Sequence, residues 1–325
     1  MKNDVLKAME TLQPIVHRTP IKRSQTLDKL TGAEVYLKME NMQKTGSFKI
    51  RGATHKIFSL TEKELGKGVV AASAGNHAQG VAFAATKKGI KAKIFMPKLA
   101  PQAKIDATRG YGAEVVLIGD TYQESYEAAL SEDATFVHAF DDPLVMAGQG
   151  TVVLEMLHQC PDLDIIIVPV GGGGLIAGTA IAAKAIKPSI RLIGVQAEGA
   201  AATYNRFKKT GPTSLKEVSS IADGILVKET GQLTYPIIEH YVDDMVTVSD
   251  QEIASAILFM LEREKSFVEG AGAAALAALM YRPLSASNKK VGIFISGGNA
   301  DPKNIPHYLE LAYRLKFQRD TISHT

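Results

Sequence analysis

The chain has 325 residues, of which 46% are hydrophobic and 22% are charged, and this composition is typical of an ordinary globular protein rather than a disordered one. Its formal net charge of +3 is small for this length, and no basic stripe with interleaved aromatic residues is present, which excludes nucleic-acid binding as the expected function. The single cysteine, Cys160, excludes an internal disulfide bond and a cysteine-rich zinc site, and the lack of a visible secretory signal favours a cytoplasmic location.

Short apolar runs alternate with helical segments along most of the chain. The predicted strands, in chain order, cover residues 34–39, 69–72, 92–96, 114–118, 165–170, 191–196, 244–248 and 291–295. The predicted helices include residues 76–88, 101–111, 122–130, 175–186, 250–264 and 271–280. This alternation predicts βαβ units, parallel sheets and an α/β protein. In such proteins ligands bind beyond the carboxyl ends of the strands, where the glycine-rich turns of this sequence fall.

Lys49 is the first candidate for chemistry along the chain. It lies in the segment Ser47-Phe48-Lys49-Ile50-Arg51-Gly52-Ala53. Its apolar neighbours Phe48 and Ile50 would disfavour the charged amine and lower its pKa. A neutral amine is what a Schiff base with an aldehyde cofactor requires. Taken alone, however, Lys49 is more readily explained as a partly exposed helix lysine.

A second candidate segment, Ser73-Ala74-Gly75-Asn76-His77, follows the predicted strand 69–72 and opens a helix. Small residues at a helix N-terminus leave backbone N–H groups free to bind an anion, and this segment suits a carboxylate. Asn76 can equally be a simple helix cap, and His77 can be a buried histidine satisfied by hydrogen bonds. Neither residue is specific on its own.

Four consecutive glycines lie between a predicted strand and a predicted helix: Gly171, Gly172, Gly173 and Gly174. Residues without side chains let several backbone N–H groups converge on an anion at the helix N-terminus, and a phosphate is the natural ligand. A tight turn with nothing bound is the simpler alternative. The same glycines, with Pro169, would break a membrane-spanning helix, so no membrane association is expected.

The glycine segment has a sharper alternative explanation. The spacing Gly172-x-Gly174-x-x-Ala177 matches the relaxed dinucleotide fingerprint, and Glu198 follows the next strand near the expected place of a ribose-binding acid. A NAD-dependent oxidoreductase is therefore a second hypothesis, although it leaves Lys49 unexplained.

A fourth segment, Ser296-Gly297-Gly298-Asn299, follows the predicted strand 291–295. Ser296 would stand at the carboxyl end of a buried strand, with two glycines clearing space beside it. A simple turn serine is the alternative.

Together the four segments resemble the signature segments of serine/threonine dehydratases and serine racemases, which are fold type II enzymes of pyridoxal 5′-phosphate (PLP). The resemblance extends to about Asn299 and implies a tryptophan synthase β-like fold, with two parallel-sheet α/β domains and the active site in the cleft between them. We expect a large PLP-binding domain of residues 1–60 and 146–325 and a small substrate-binding domain of residues 61–145.

The resemblance also implies a role for each matched residue. Lys49 would hold PLP as the Schiff-base lysine and act as the base at the substrate Cα. The cofactor contacts would be Phe48 on the ring face, Asn76 at the ring hydroxyl, Ser296 at the pyridine nitrogen, and Gly171, Gly172, Gly173 and Gly174 around the phosphate. The substrate contacts would be Ser73, Asn76 and His77 at the carboxylate and Phe140 in the side-chain pocket.

The leading functional prediction is PLP-dependent dehydration and deamination of L-threonine and L-serine to 2-oxobutanoate or pyruvate and ammonia. Serine racemase is the alternative on the same fold, but racemases of the resembled family carry a second hydroxyl where this chain has Ala74, so inversion should be poor and dehydration is favoured. An aromatic Phe140 would suit the threonine methyl better than a second carboxylate, which argues against a 3-hydroxyaspartate dehydratase.

The resemblance leads to two further expectations. Gln196 and Ala202 stand where racemase relatives bind a divalent cation, and neither is a hard anionic ligand, so no metal is predicted. The chain continues only briefly beyond the last signature segment, as in the short catabolic type of threonine dehydratase. Relatives suggest a homodimer or a homotetramer.

Overall fold

The structure is a computed structural model, which describes the backbone of residues 2–322 and the side chains of residues 3–315. The strands of this part of the chain are β1 (Ile21–Arg23), β2 (Glu34–Met39), β3 (Val69–Ala72), β4 (Ala92–Met96), β5 (Glu114–Leu117), β6 (Thr135–Phe136), β7 (Ile165–Pro169), β8 (Arg191–Ala197), β9 (Asp244–Val248) and β10 (Lys290–Ile295).

The α-helices are α1 (Lys2–Leu12), α2 (Gln25–Thr31), α3 (Lys49–Phe58), α4 (Glu62–Lys67), α5 (Asn76–Lys88), α6 (Gln102–Gly110), α7 (Tyr122–Leu130), α8 (Pro143–Gln159), α9 (Gly174–Ile186), α10 (Ala202–Lys208), α11 (Thr234–Tyr241), α12 (Asp250–Glu262), α13 (Gly270–Tyr281) and α14 (Ile305–Ile322). None of these helices is long and apolar enough to cross a lipid bilayer.

The strands form two sheets, and the predicted α/β fold with parallel sheets is confirmed. The larger sheet has the order β1-β2-β10-β7-β8-β9, in which only β1 runs antiparallel to its neighbour. The smaller sheet has the order β5-β4-β3-β6 and is parallel throughout. Its strands all lie within residues 61–145, the segment expected to form the small domain; the exact domain limits remain a prediction.

The predicted strands are all present, with ends that differ by at most one residue. Two short strands, β1 and β6, were not predicted from the sequence. Each has three residues or fewer and is defined by its pairing with a neighbour, β1 with β2 and β6 with β3. Local apolar patterning therefore carries little information about them.

The larger sheet is covered by helices on both faces. Along β7, Ile165 and Ile167 pack into a core with residues of α12 and α13, whereas Ile166 and Val168 pack into a second core with residues of α8 and α9. This alternation is the two-residue period of a strand buried on both sides. The carboxyl ends of β3, β7 and β10 lead directly into the Ser73, Gly171 and Ser296 segments.

Helix α3 is held in place by a buried ion-pair network. The guanidinium of Arg51 is fully buried and donates hydrogen bonds of 2.8 Å to the carboxylates of both Glu40 and Glu155. Lys38 donates a further hydrogen bond of 2.7 Å to Glu155. Because every charge has a close partner of opposite sign, the network fixes α3 against β2 and α8.

Candidate active site

Lys49 is the first residue of α3, and its side chain is half-buried. Its Nζ donates a hydrogen bond of 2.8 Å to the carbonyl oxygen of Ala139 and lies 5.4 Å from the centre of the Phe48 ring. Burial lowers the pKa of Lys49 to about 8, although the carboxyl of Glu269 acts in the opposite direction. A substantial fraction of the amine is therefore neutral near physiological pH, as a nucleophilic lysine requires.

The lowered pKa of Lys49 predicts how the rate of PLP capture by the cofactor-free protein depends on pH. With a pKa of about 8, the neutral fraction of the amine rises about tenfold between pH 7 and pH 9 and then levels off. The rate of PLP capture, followed by stopped-flow absorbance, is expected to follow the same curve. A rate that continues to rise tenfold per pH unit up to pH 10 would show an ordinary lysine and contradict this prediction.

The glycine segment forms the turn between β7 and α9. No side chain of the described residues caps the N-terminus of α9, so the first N–H groups of that helix are open to a ligand. A Cβ atom on Gly172 would lie 2.3 Å from the Phe140 ring, and Gly173 has a φ of +99°, which favours glycine. Close packing and backbone conformation by themselves therefore require glycine at these two positions.

The segment around Phe140 connects Lys49 to the glycine turn. Ala139 accepts the hydrogen bond from Lys49, and the adjacent Phe140 ring packs against Gly172. Asp141 accepts hydrogen bonds of 2.9 to 3.1 Å from the backbone N–H groups of residues 232–234. Thr234 in turn donates a hydrogen bond of 2.7 Å to the carbonyl oxygen of Gly172. The structure thus brings the lysine, the predicted pocket residue and the glycine turn together.

Asn76 does not cap α5, so that alternative is wrong. Gly75 occupies the N-cap position without a side-chain cap, and the N–H of Gly75 donates to the Ser73 hydroxyl at 3.1 Å. The side chain of Asn76 instead donates a hydrogen bond of 2.6 Å to Glu269 and accepts one of 2.8 Å from Asn299. Ser73 and Asn76 therefore flank an open helix N-terminus beside the fourth signature segment.

His77 is a buried histidine with a hydrogen-bonded ring, as one of the two interpretations of the sequence predicts. The residue is 3% exposed, and its Nε2 lies 2.8 Å from the carbonyl oxygen of Val137. Burial and the nearby charge of Lys49 lower the pKa of His77 to about 3, so the ring is neutral. We predict that its contact with the substrate carboxylate is made by the backbone N–H at the start of α5.

Ser296 follows β10 directly and is 2% exposed. Its hydroxyl donates a hydrogen bond of 3.2 Å to the carbonyl oxygen of Ala271, and its own carbonyl oxygen accepts one of 3.1 Å from the N–H of Phe48. Ser47 also forms an isolated antiparallel bridge with Gly297. These contacts join the lysine segment to the end of β10, although about 250 residues separate them in the chain.

Glu269 is a polar residue of the site that the sequence interpretation missed. Its carboxyl group is buried beside Asn76, which donates a hydrogen bond to it. The available signal was a lone acid immediately before the alanine-rich helix α13, and such an acid is easily taken for a helix cap. Glu269 occupies the N-cap position, but its side chain makes no capping hydrogen bond.

These residues fit a cofactor that carries both an aldehyde and a phosphate. A partly neutral amine is available at Lys49, an uncapped helix N-terminus follows the glycine turn, and one N–H of Asn76 has no partner among the described protein atoms. Such a combination, in an α/β fold with parallel sheets, is what a pyridoxal-phosphate enzyme of fold type II requires.

Comparison with protein families leads to the same class. Residues 12–297 match the family model described as "Pyridoxal-phosphate dependent enzyme", and the chain belongs to this family. It is 51% identical to the L-threonine ammonia-lyase of Thermotoga maritima, over 92% of this chain and 75% of that protein. It is 45% identical to the catabolic L-threonine dehydratase TdcB of Staphylococcus aureus, over 94% of this chain and 91% of that protein.

Solved structures give a similar result. The structure of maize serine racemase superposes with a TM-score of 0.89 at 36% identity, covering 95% of this chain and 98% of that one. PLP is thus the cofactor of this enzyme, and the nicotinamide hypothesis loses its support. Glu198, the proposed ribose ligand, is exposed and lies 3.3 Å from Arg282 instead.

Proposed function

We propose that this enzyme deaminates L-threonine, and L-serine as a second substrate, to the corresponding 2-oxo acid and ammonia. The observation that carries the proposal is the position of Lys49, whose partly neutral amine contacts the Phe140 segment next to the glycine turn. The identity to proteins named L-threonine ammonia-lyase and dehydratase supports the choice of substrate.

Each residue of the site would have a separate role in the reaction. When bound, PLP supplies an electron sink that makes the Cα proton of an amino acid removable. Lys49 would accept that proton at its Nζ, while the Ser73 hydroxyl and the N–H groups at the start of α5 would hold the substrate carboxylate. Gly171, Gly172, Gly173 and Gly174 would bind the cofactor phosphate, and Ser296 would contact the pyridine nitrogen.

The net reaction neither releases nor consumes water, because one water leaves and one water is taken up. The β-hydroxyl leaves as water after it gains a proton, and the unsaturated amine that remains takes up one water. That amine then separates into ammonia and 2-oxobutanoate, or pyruvate when serine is the substrate.

Serine racemase is the second candidate, and the similarity to the maize racemase supports it. Racemisation requires a proton-transfer group on the face opposite Lys49. Ala74, between Ser73 and Gly75 at the start of α5, offers no such group. Elimination is therefore favoured over inversion.

The deciding experiment measures 2-oxo acid release from L-threonine, L-serine and 3-hydroxyaspartate by the PLP-loaded enzyme, together with D-serine formation from L-serine. Formation of 2-oxobutanoate and pyruvate, with little D-serine, is expected. A yellow, PLP-loaded protein that releases no 2-oxo acid from threonine or serine but forms D-serine would overturn the dehydratase assignment in favour of the racemase.

Phe140 is proposed to contact the methyl group of threonine. Phe140→Asn is expected to lower kcat/KM for threonine about tenfold relative to serine, because one methyl group in an apolar pocket contributes that order of discrimination. The two values are measured at saturating PLP. Phe136→Leu alters another ring of the same aromatic cluster and serves as the control. An unchanged threonine-to-serine ratio in Phe140→Asn would show that this ring does not face the substrate.

The finer predictions on organisation belong to the same proposal. We infer a cytoplasmic homo-oligomer with a small domain of residues 61–145 and a large domain formed by the rest. Gel filtration with light scattering would test the oligomeric state, and limited proteolysis would test the domain limits.

A further inference from the structure

A buried acid next to Asn76 has no part in the reaction as described above. Glu269 is 5% exposed, and its Oε1 accepts a hydrogen bond of 2.6 Å from Nδ2 of Asn76. A Cβ atom on Gly297 would lie 2.1 Å from the same Oε1, so the carboxyl group fills the space that this glycine leaves open. Because a buried carboxyl is costly to maintain, its place beside a cofactor ligand calls for an explanation.

The contacts of Asn76 define the orientation of its amide group. Nδ2 donates to Glu269, and Oδ1 accepts a hydrogen bond of 2.8 Å from Nδ2 of Asn299. Nδ2 of Asn299 also donates to the carbonyl oxygen of Thr45 at 2.8 Å. If the Asn76 amide were flipped, its oxygen would face the Glu269 carboxyl and its NH2 group would face another NH2 group, and both contacts are unfavourable.

This orientation has a consequence for the cofactor. An amide NH2 group has two N–H donors, and Glu269 takes only one of them. We propose that Glu269 is a positioning residue, which fixes the Asn76 amide so that its second N–H is presented to the ring oxygen of PLP. The inference concerns cofactor binding and rests on the proposed function only through the role of Asn76 as a PLP ligand.

The electrostatic surroundings make this contact sensitive to pH. Burial and the charge of Asp223 raise the pKa of Glu269 to about 7, whereas Asn76, Lys104 and Lys49 act in the opposite direction. Tyr308 also lies within electrostatic range of Glu269, and Lys104 forms an ion pair of 2.6 Å with Asp223. An ionised carboxylate is the stronger acceptor, so the hold on Asn76 strengthens as pH rises through about 7.

Two substitutions separate the hydrogen bond from the charge. Glu269→Gln keeps a carbonyl acceptor without the titrating proton, and Glu269→Leu removes the acceptor while filling a similar volume. The PLP dissociation constant of the cofactor-free protein and the absorption spectrum of bound PLP are measured between pH 6 and pH 8.5. Glu10→Ala removes an exposed acid on α1 and serves as the control.

If Glu269 positions Asn76, the leucine variant is expected to bind PLP about tenfold more weakly than the wild type, and the glutamine variant within about threefold of it. The spectrum of the wild type should change with pH around 7, and that of the glutamine variant should not. A leucine variant with wild-type affinity and spectrum would overturn the proposal, as would a glutamine variant as weak as the leucine variant.

A double-mutant cycle tests whether Glu269 acts through Asn76. The variant with both Asn76→Ala and Glu269→Leu is expected to bind PLP no more weakly than Asn76→Ala alone. Additive losses would overturn the proposal. Because these readouts need no amino-acid substrate, they decide the role of Glu269 even if the enzyme fails to deaminate threonine. A wild-type protein that binds no PLP would instead contradict the proposed function itself.

Discussion

Replacing Lys49 by alanine is expected to lower the rate of threonine deamination by at least about 10³-fold, because it removes both the amine that captures PLP and the base at the substrate Cα. The Lys49 side chain is half-buried, and its Nζ donates a hydrogen bond to the Ala139 carbonyl oxygen. The measurement is 2-oxobutanoate release at saturating PLP, together with borohydride reduction and mass analysis of the protein.

Two companion variants make the Lys49 result specific. Lys63→Ala removes an exposed lysine on α4 and is expected to leave the rate and the borohydride adduct unchanged. Adding methylamine to Lys49→Ala is expected to restore part of the activity, because a small primary amine can occupy the space left by the side chain. Full activity of Lys49→Ala, or a borohydride adduct on another lysine, would contradict the assignment of Lys49.

Replacing Arg51 by methionine is expected to lower the free energy of unfolding by about 3–5 kcal/mol, the usual cost of breaking a buried ion pair from one side. The substitution would leave the carboxylates of Glu40 and Glu155 in the interior, and of the two only Glu155 would keep a hydrogen bond from the Lys38 ammonium. Chemical denaturation of the cofactor-free protein measures the loss. Helix α3, which begins with Lys49, would lose its buried ion pairs to the rest of the protein. We therefore expect Arg51→Met to bind PLP more weakly as well.

Arg314→Met is the matched control for Arg51→Met. Arg314 forms an exposed pair with Glu310 on α14, and such pairs contribute about 0–1 kcal/mol. Arg51→Lys should fall between the two, because an ammonium keeps the charge but not the paired hydrogen bonds to both carboxylates. A loss below about 1 kcal/mol for Arg51→Met would mean that the two carboxylates find other partners.

The sequence predicts the central strands well because their signal is local. Ile165–Pro169 and Val69–Ala72 are unbroken apolar runs between glycine or polar boundaries, and such runs identify buried parallel strands. Ile21–Arg23 lacks such a run, since two of its three residues are basic. It is a strand only because it pairs with β2, and that pairing depends on contacts that no local pattern records.

The residues of the candidate site also differ in how far the local sequence predicts them. Lys49 and the glycine turn lie in segments whose residue types and spacing are distinctive by themselves. The roles of Glu269 and Arg51 depend on hydrogen-bond partners that are distant in the chain. The partner of Glu269 is Asn76, and a partner of Arg51 is Glu155. A buried acid and a buried arginine look like surface residues until the fold places them in the interior.

The position of β10 in the larger sheet has a consequence for how the protein is made. β10 lies between β2 and β7, yet among the described strands it is the last to leave the ribosome. Until it inserts, the nascent chain exposes two strand edges in the middle of its main sheet, and such edges are prone to aggregate. Ser296, the proposed contact of the pyridine nitrogen, is also absent until then. We therefore expect PLP to stabilise chiefly the completed sheet, so the supply of this cofactor in the cell would influence how long the finished enzyme persists more than how its chain begins to fold.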